Sequence, residues 1–159
     1  MKKVELVLFE PLHTSWLERL LENFGVEVFN SRNKIDVDRF INNHHGYIYL
    51  AVNEYGIPVG FSSFTYNDWY GLREPTLSND FIYIEPAYRR SKAMHLFSIQ
   101  AGYLCESMNL PLEHHTASAE SEMLTSRLKG KKLYTTYLYP IDSVIEEYSR
   151  LKTKIRIQQ

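Results

Sequence analysis

Arg89, Arg90 and Lys92 place three cationic side chains within four consecutive residues, just past the dipeptide Glu85-Pro86. Guanidinium and ammonium groups at that density suit phosphate, the first through paired hydrogen bonds and the second as a point charge. A second set is acidic and aromatic: Tyr66-Asn67-Asp68-Trp69-Tyr70-Gly71, followed by Glu74 and Asp80. Ring faces and carboxylates both attract cations, so this set suits an amine, which is a cation until it is deprotonated. Plainer roles are also open, a solvated strand start for Asp80 and aromatics that simply pack on a sheet. Two adjacent pairs, His44-His45 and His114-His115, offer no shared metal site, because neighbours on a strand point to opposite faces. Cys105 falls on a helical pattern and reads as a small buried hydrophobe.

The basic residues need a strand before them and a helix behind them. Asp80-Phe81-Ile82-Tyr83-Ile84 is aromatic and β-branched, as a buried strand requires, and Pro86 stops it by lacking an N–H for the ladder. Ala93, Leu96, Phe97, Ala101, Leu104 and Met108 then recur at helical spacing. Strand, basic turn and helix together aim free N–H groups and a helix dipole at an anion, which is the arrangement of a phosphate-binding turn. Strict alternation along the strand places Ser78, Asp80, Ile82 and Ile84 on one face, with Asn79, Phe81 and Tyr83 on the other.

The other elements follow from pattern and punctuation. Val4 to Phe9 reads as a strand closed by Pro11. Ser15 and Glu18 form a capping box for a helix with the apolar face Trp16, Leu17, Leu20, Leu21 and Phe24, ended by Gly25. Asp36 caps a shorter helix containing Phe40 and Ile41. Tyr47 to Val52 and Val59 to Tyr66 form a hairpin about the turn Asn53-Glu54-Tyr55-Gly56. A long connection, Asn67 to Asn79, leads to the central strand. After the helix to Asn109 come a strand from Leu112 to Thr116, a helix from Glu120 to Leu128 and a strand from Leu133 to Tyr139. Asp142 caps a last helix that runs to about Lys154.

A length of 159 residues, 44% hydrophobic and 23% charged, predicts one globular domain, residues 1–159, with its core in 4–139 and a helix and tail in 140–159. The net charge of −1 gives no electrostatic footprint for nucleic acid or an anionic membrane. A single cysteine excludes an internal disulfide and suits a reducing compartment. No stretch has the apolar length of a membrane span, and Glu5 and Glu10 interrupt the basic start before a secretory segment forms. The expectation is a cytoplasmic protein.

Ile84-Glu85-Pro86-Ala87-Tyr88-Arg89, continued by Arg90-Ser91-Lys92-Ala93-Met94, resembles the acyl-CoA loop of the GNAT N-acyltransferase superfamily. In that loop a corner is followed by Arg or Gln, two free positions, Gly, a free position, and Gly or Ala. Lys92 and Met94 stand where the small residues belong, and glycine there lets a pyrophosphate approach the backbone closely. The hairpin segments Leu50-Ala51-Val52 and Val59-Gly60-Phe61 also resemble that fold. The resemblance implies an α/β fold of the α+β kind, with a mixed central sheet covered by helices on both faces. Its implied order is β-α-α-β-β-β-α-β-α-β, plus the C-terminal helix.

The resemblance further implies that acetyl-CoA enters between two diverging parallel strands. Its pantetheine would lie beside Ile82, Tyr83 and Ile84, and its pyrophosphate over Arg89, Arg90, Ser91, Lys92, Ala93 and Met94. Ser118 stands where the family often places a cofactor-touching residue. The family's Tyr acid is missing between Ala119 and Gly130, and Tyr134 is the nearest substitute. Asp80 is the implied base, the acceptor a primary amine on a small molecule or a protein, and a homodimer is admitted. The alternative is a non-catalytic GNAT-fold module that binds another protein and has lost its CoA site.

Overall fold

Short runs rich in aromatic and β-branched residues form the strands. In the computed structural model, which describes residues 1–44, 46–115 and 140–158, five strands make one sheet in the order β1-β2-β3-β4-β5. They are β1 (Val4–Leu8), β2 (Ile48–Asn53), β3 (Pro58–Asn67), β4 (Thr76–Ile84) and β5 (Leu112–His114). Neighbours from β1 to β4 run antiparallel, and β5 runs parallel to β4. Helices α1 (Thr14–Phe29) and α2 (Val37–Asn43) lie between β1 and β2 in sequence, and α3 (Ala93–Met108) between β4 and β5. The mixed sheet and the order of elements through β5 are those expected. The helix and strand expected at 120–128 and 133–139 lie outside the described residues.

Both faces of the sheet are covered. On one, Leu17, Leu20 and Leu21 of α1 bury against Ile48, Leu50, Val52, Phe61 and Tyr83. On the other, Ala93 and Phe97 of α3 pack on Ala51, Val59 and Ile84, while Ala101 packs on Phe64 and Leu77. Each fully buried Leu or Phe contributes roughly 1.5–3 kcal/mol relative to exposure. Gly60 lets β3 and β4 close up, since a Cβ there would stand 2.7 Å from the carbonyl oxygen of Tyr83.

Several boundaries differ from expectation. Helix α1 passes through Gly25 and ends where Asn30 turns left-handed at φ 49°, with Ser31 N–H on the Gly25 carbonyl. A left-handed Asn one turn later supplies the stop that glycine was expected to give. Its start is fixed by a turn at Pro11–His13, where Glu10 N–H donates to His13 Nδ1 at 3.0 Å, rather than by Ser15 and Glu18. Asp36 does cap α2, accepting from Arg39 N–H at 3.0 Å.

Strand β4 begins at Thr76, so the connection from β3 shrinks to residues 68–75. Ser78 and Asn79 resemble turn residues, yet both are buried and paired with β3. Tertiary packing overrides their weak strand propensity.

The chain divides into two compact units, Met1–Met123 and Leu124–Gln159. The described part of the second is helix α4 (Ile141–Gln158), in which Asp142 sits in the first turn instead of capping it. Among the described residues no helix is long and apolar enough to cross a membrane.

Candidate active site

The register between β3 and β4 slips by one residue. Ser63 faces Phe81 and Phe64 faces Asn79, which leaves Asp80 as the extra residue of a β-bulge. The ladder to β5 ends at the same point, pairing Leu77, Ser78 and Asn79 with Leu112, Glu113 and His114. Among the described residues, Asp80 to Ile84 have no β5 partner, so Asp80 stands just past the last described rung of the β4–β5 ladder.

The bulge also corrects the expected faces. An extra residue shifts a two-residue period by one, so Asp80 and Ser78 turn to the α1–α2 side with Phe81 and Tyr83. Asn79, Ile82 and Ile84 turn to the α3 side. The Tyr83 side chain is thereby buried in the α1 core, with its phenol pushed up by burial and by Glu27.

Three donors hold the Asp80 carboxylate. Ser78 Oγ donates to Oδ1 at 2.6 Å, Thr65 Oγ1 to Oδ2 at 2.7 Å, and His44 Nε2 lies 3.2 Å from Oδ2. Burial alone would raise its pKa, but hydrogen bonds from His44, Ser78 and Thr65, with the His44 charge, hold it below the ordinary range. His44 Nδ1 is 2.9 Å from the Phe40 carbonyl, which can only accept. The other ring nitrogen, Nε2, faces the Asp80 carboxylate, so His44 bridges the end of α2 to β4.

His115 Nε2 lies 3.0 Å from Ser78 Oγ, 3.5 Å from Glu113 Oε1 and 3.9 Å from Asp80 Oδ1. One member of each adjacent histidine pair thus reaches the same carboxylate, and His45 lies outside the described residues. Buried Glu113 pairs with Arg73 and accepts from Thr76 Oγ1 at 2.8 Å. The Arg73 guanidinium also lies over the Trp69 ring, 5.3 Å from its centroid, and so ties the β3–β4 connection to the cluster. That connection turns through three successive left-handed residues, Trp69, Tyr70 and Gly71, at φ 52°, 60° and 79°. Its expected surface of aromatics and acids therefore also contains a cation, Arg73.

His44, Thr65, Ser78, Arg73, Glu113 and His115 were not found from the sequence. What joins them is register, which residue types do not display. Among the described residues no group of three His, Cys, Asp or Glu could hold a metal ion.

At the other end of β4, Pro86–Tyr88 forms a single 3-10 turn and α3 starts at Ala93. Ser91 Oγ accepts from Ala93 N–H at 3.2 Å, while the N–H groups of Met94 and His95 have no acceptor among the described residues. Arg90 and Lys92 are exposed beside them and make no ion pair among the described residues. Arg89 is engaged elsewhere, donating to the Ile84 carbonyl at 3.1 Å and pairing with Glu27. The Met94 side chain packs into the α3 core. Ser118 and Tyr134 lie outside the described residues.

No protein-family model and no curated protein matches the sequence. Solved structures do match. An acetyltransferase of the GNAT family from Staphylococcus aureus superimposes with a TM-score of 0.67 at 14% identity, over 86% of this chain and 90% of that one. The chain has the GNAT fold. The aminoglycoside acetyltransferase AAC(6')-Iy, solved with a CoA bisubstrate analogue, gives a TM-score of 0.66 at 10% identity, over 87% and 97% of the two chains. A ribosomal-protein-alanine N-acetyltransferase from Brucella melitensis gives 0.62 at 15% identity, over 87% and 99%.

Proposed function

We propose that the chain is an N-acetyltransferase that moves an acetyl group from acetyl-CoA to a primary amine, on a small molecule or a protein, in the cytoplasm. The observation that carries this reading is the placement of two sites along one strand. A polar cluster centred on an ionised carboxylate sits at the last described rung of the β4–β5 ladder, and helix N–H groups without an acceptor among the described residues, flanked by Arg90 and Lys92, sit at the far end of β4.

In this reading the pyrophosphate of the donor lies over Met94 and His95 N–H, with Arg90 and Lys92 supplying charge and Ser91 and Ala93 shaping the turn. The pantetheine follows β4 beside Ile82 and Ile84. Asp80 draws the ammonium form of the acceptor into the cluster. The ammonium first gives one proton to solvent, and once the free amine so formed has attacked the thioester carbonyl, its nitrogen is again positive and strongly acidic. A carboxylate of low basicity is then enough to take the proton, directly or through a water. Tyr134 is the proposed proton donor to the departing thiolate, and Ser118 a donor-contacting residue.

A second reading, a protein-binding module without catalysis, rests on Lys92 and Met94 standing at the glycine positions. Calorimetry and melting with CoA separate the two. A ligand at a hundredfold excess over its dissociation constant adds about 2.7 kcal/mol of stability, and acetyl transfer to a panel of amines then identifies the acceptor. No binding of CoA at millimolar concentration would end the enzyme reading.

A further inference from the structure

The described residues include a buried hydrogen-bond acceptor with nothing to accept from, and its polarity is fixed by a chain of contacts. Asn79 is 3% exposed. Its Nδ2 lies 3.0 Å from Ser62 Oγ and 3.0 Å from the Ser63 carbonyl. A carbonyl only accepts, so the amide nitrogen must be the atom on that side. Asn79 Oδ1 therefore faces His114, whose Nδ1 is 3.0 Å away. Oδ1 also only accepts, so Nδ1 carries the proton of the ring. In a neutral imidazole that leaves a lone pair on Nε2, and this atom is buried without a partner. Burial, and then the charge of His115, hold the His114 pKa below the ordinary histidine value, which keeps the ring neutral.

We infer that His114 Nε2 accepts a hydrogen bond from an amide N–H of the pantetheine arm of the acyl donor. The inference rests on the donor reading given above. Three features place that contact. His114 belongs to the last described rung of the β4–β5 ladder, beside the start of the Asp80 to Ile84 stretch along which the donor is read to lie. It meets Asn79, which faces the α3 side as Ile82 and Ile84 do, the side along which the donor is read to lie. An orphaned lone pair asks for a donor, and along the pantetheine arm the amides offer N–H groups. A phosphate or carboxylate brings only lone pairs and is repelled. The unmade bond weakens the empty protein and is recovered when the ligand binds. His114 thus discriminates for an amide-bearing thioester arm at a place where an anion would be excluded.

Nitrogen NMR of the histidine rings tests this on the unaltered protein. His114 should show a protonated Nδ1 and a lone pair on Nε2 at neutral pH. CoA should move the Nε2 resonance toward its hydrogen-bonded position, and the nucleotide half of CoA alone should not. By calorimetry, His114→Phe should bind CoA about tenfold more weakly, a loss of about 1.4 kcal/mol, and bind the nucleotide half as the parent does. A proton on Nε2 of the free protein overturns the inference. So does a parent that binds CoA with Nε2 unmoved, or a His114→Phe variant that binds CoA equally well, and the donor reading survives both results. A parent that binds no CoA overturns the donor reading, and this inference falls with it.

Discussion

At the scale of single residues, Asp80 carries the most consequence. Asp80→Asn removes the carboxylate that His44 Nε2 faces at 3.2 Å. Turnover should fall about a hundredfold or more, and stability by about 3 kcal/mol, the loss typical of a broken and largely buried pair. CoA affinity should stay near that of the parent, because the proposed function places the residue at the acceptor side. Measuring kcat, CoA binding and the urea midpoint on one preparation checks all three, and unchanged turnover would remove Asp80 from the chemistry. The basic turn separates in the same way. Replacing Arg90 and Lys92 together by Ala should weaken CoA binding by tenfold or more with the fold retained. Arg89→Ala should act mainly on stability, since its guanidinium holds the Ile84 carbonyl and Glu27. Calorimetry and melting of the two variants show which cations meet phosphate. Asp80 and the basic turn were legible in the sequence because acid and cation are residue types. Which of three neighbouring cations stays unengaged depends on Glu27, 62 residues away from Arg89 in the chain.

At the scale of elements, the hairpin of β3 and β4 decides the site. Gly60 marks the tight contact between the two strands. A methyl group there would press on the backbone at Tyr83 and Ile84, and Gly60→Ala should destabilise by about 1–3 kcal/mol, measured by chemical unfolding. A variant as stable as the parent would show that the strands can move apart. Periodicity revealed most of the elements, since Leu17, Leu20 and Leu21, or Phe97 and Ala101, repeat at helical spacing. The bulge was not visible in this way. It is one residue long, it lies among the polar residues Ser78, Asn79 and Asp80, and it shifts the face of everything before it. Alternation read straight across it therefore placed Asp80 with Ile82 and Ile84. The same polar run concealed the first residues of β4, because burial of Ser78 and Asn79 comes from the neighbouring strands rather than from their own side chains.

At the scale of the whole molecule, stability should depend on pH through the cluster. Asp80 has a lowered pKa in the folded chain, so the stability it contributes is complete above the unfolded value of about 3.9. That contribution disappears as pH falls through the lower folded value. The parent should thus lose more stability than Asp80→Asn between about pH 5 and pH 2, as read from urea unfolding at fixed salt. Parallel curves for the two proteins would mean that the pair with His44 contributes nothing to folding. The order of elements through β5 was readable because each segment carries its own period and punctuation. The contact of α2 with β4 through His44 was not, as it joins residues 36 positions apart that only the closed sheet brings together.

The turn through Trp69, Tyr70 and Gly71 has a consequence for engineering. Left-handed backbone costs an L-residue roughly 1–2 kcal/mol, and Tyr70, fully exposed, recovers none of it by packing. Tyr70→Gly should therefore make the protein more stable by about 1 kcal/mol, visible as a higher melting temperature. If the ring contributes to an acceptor wall, the same variant should turn over amines more slowly. A chain selected for stability alone would carry glycine at this position, and a variant that is both more stable and slower would show that the tyrosine exchanges robustness for activity.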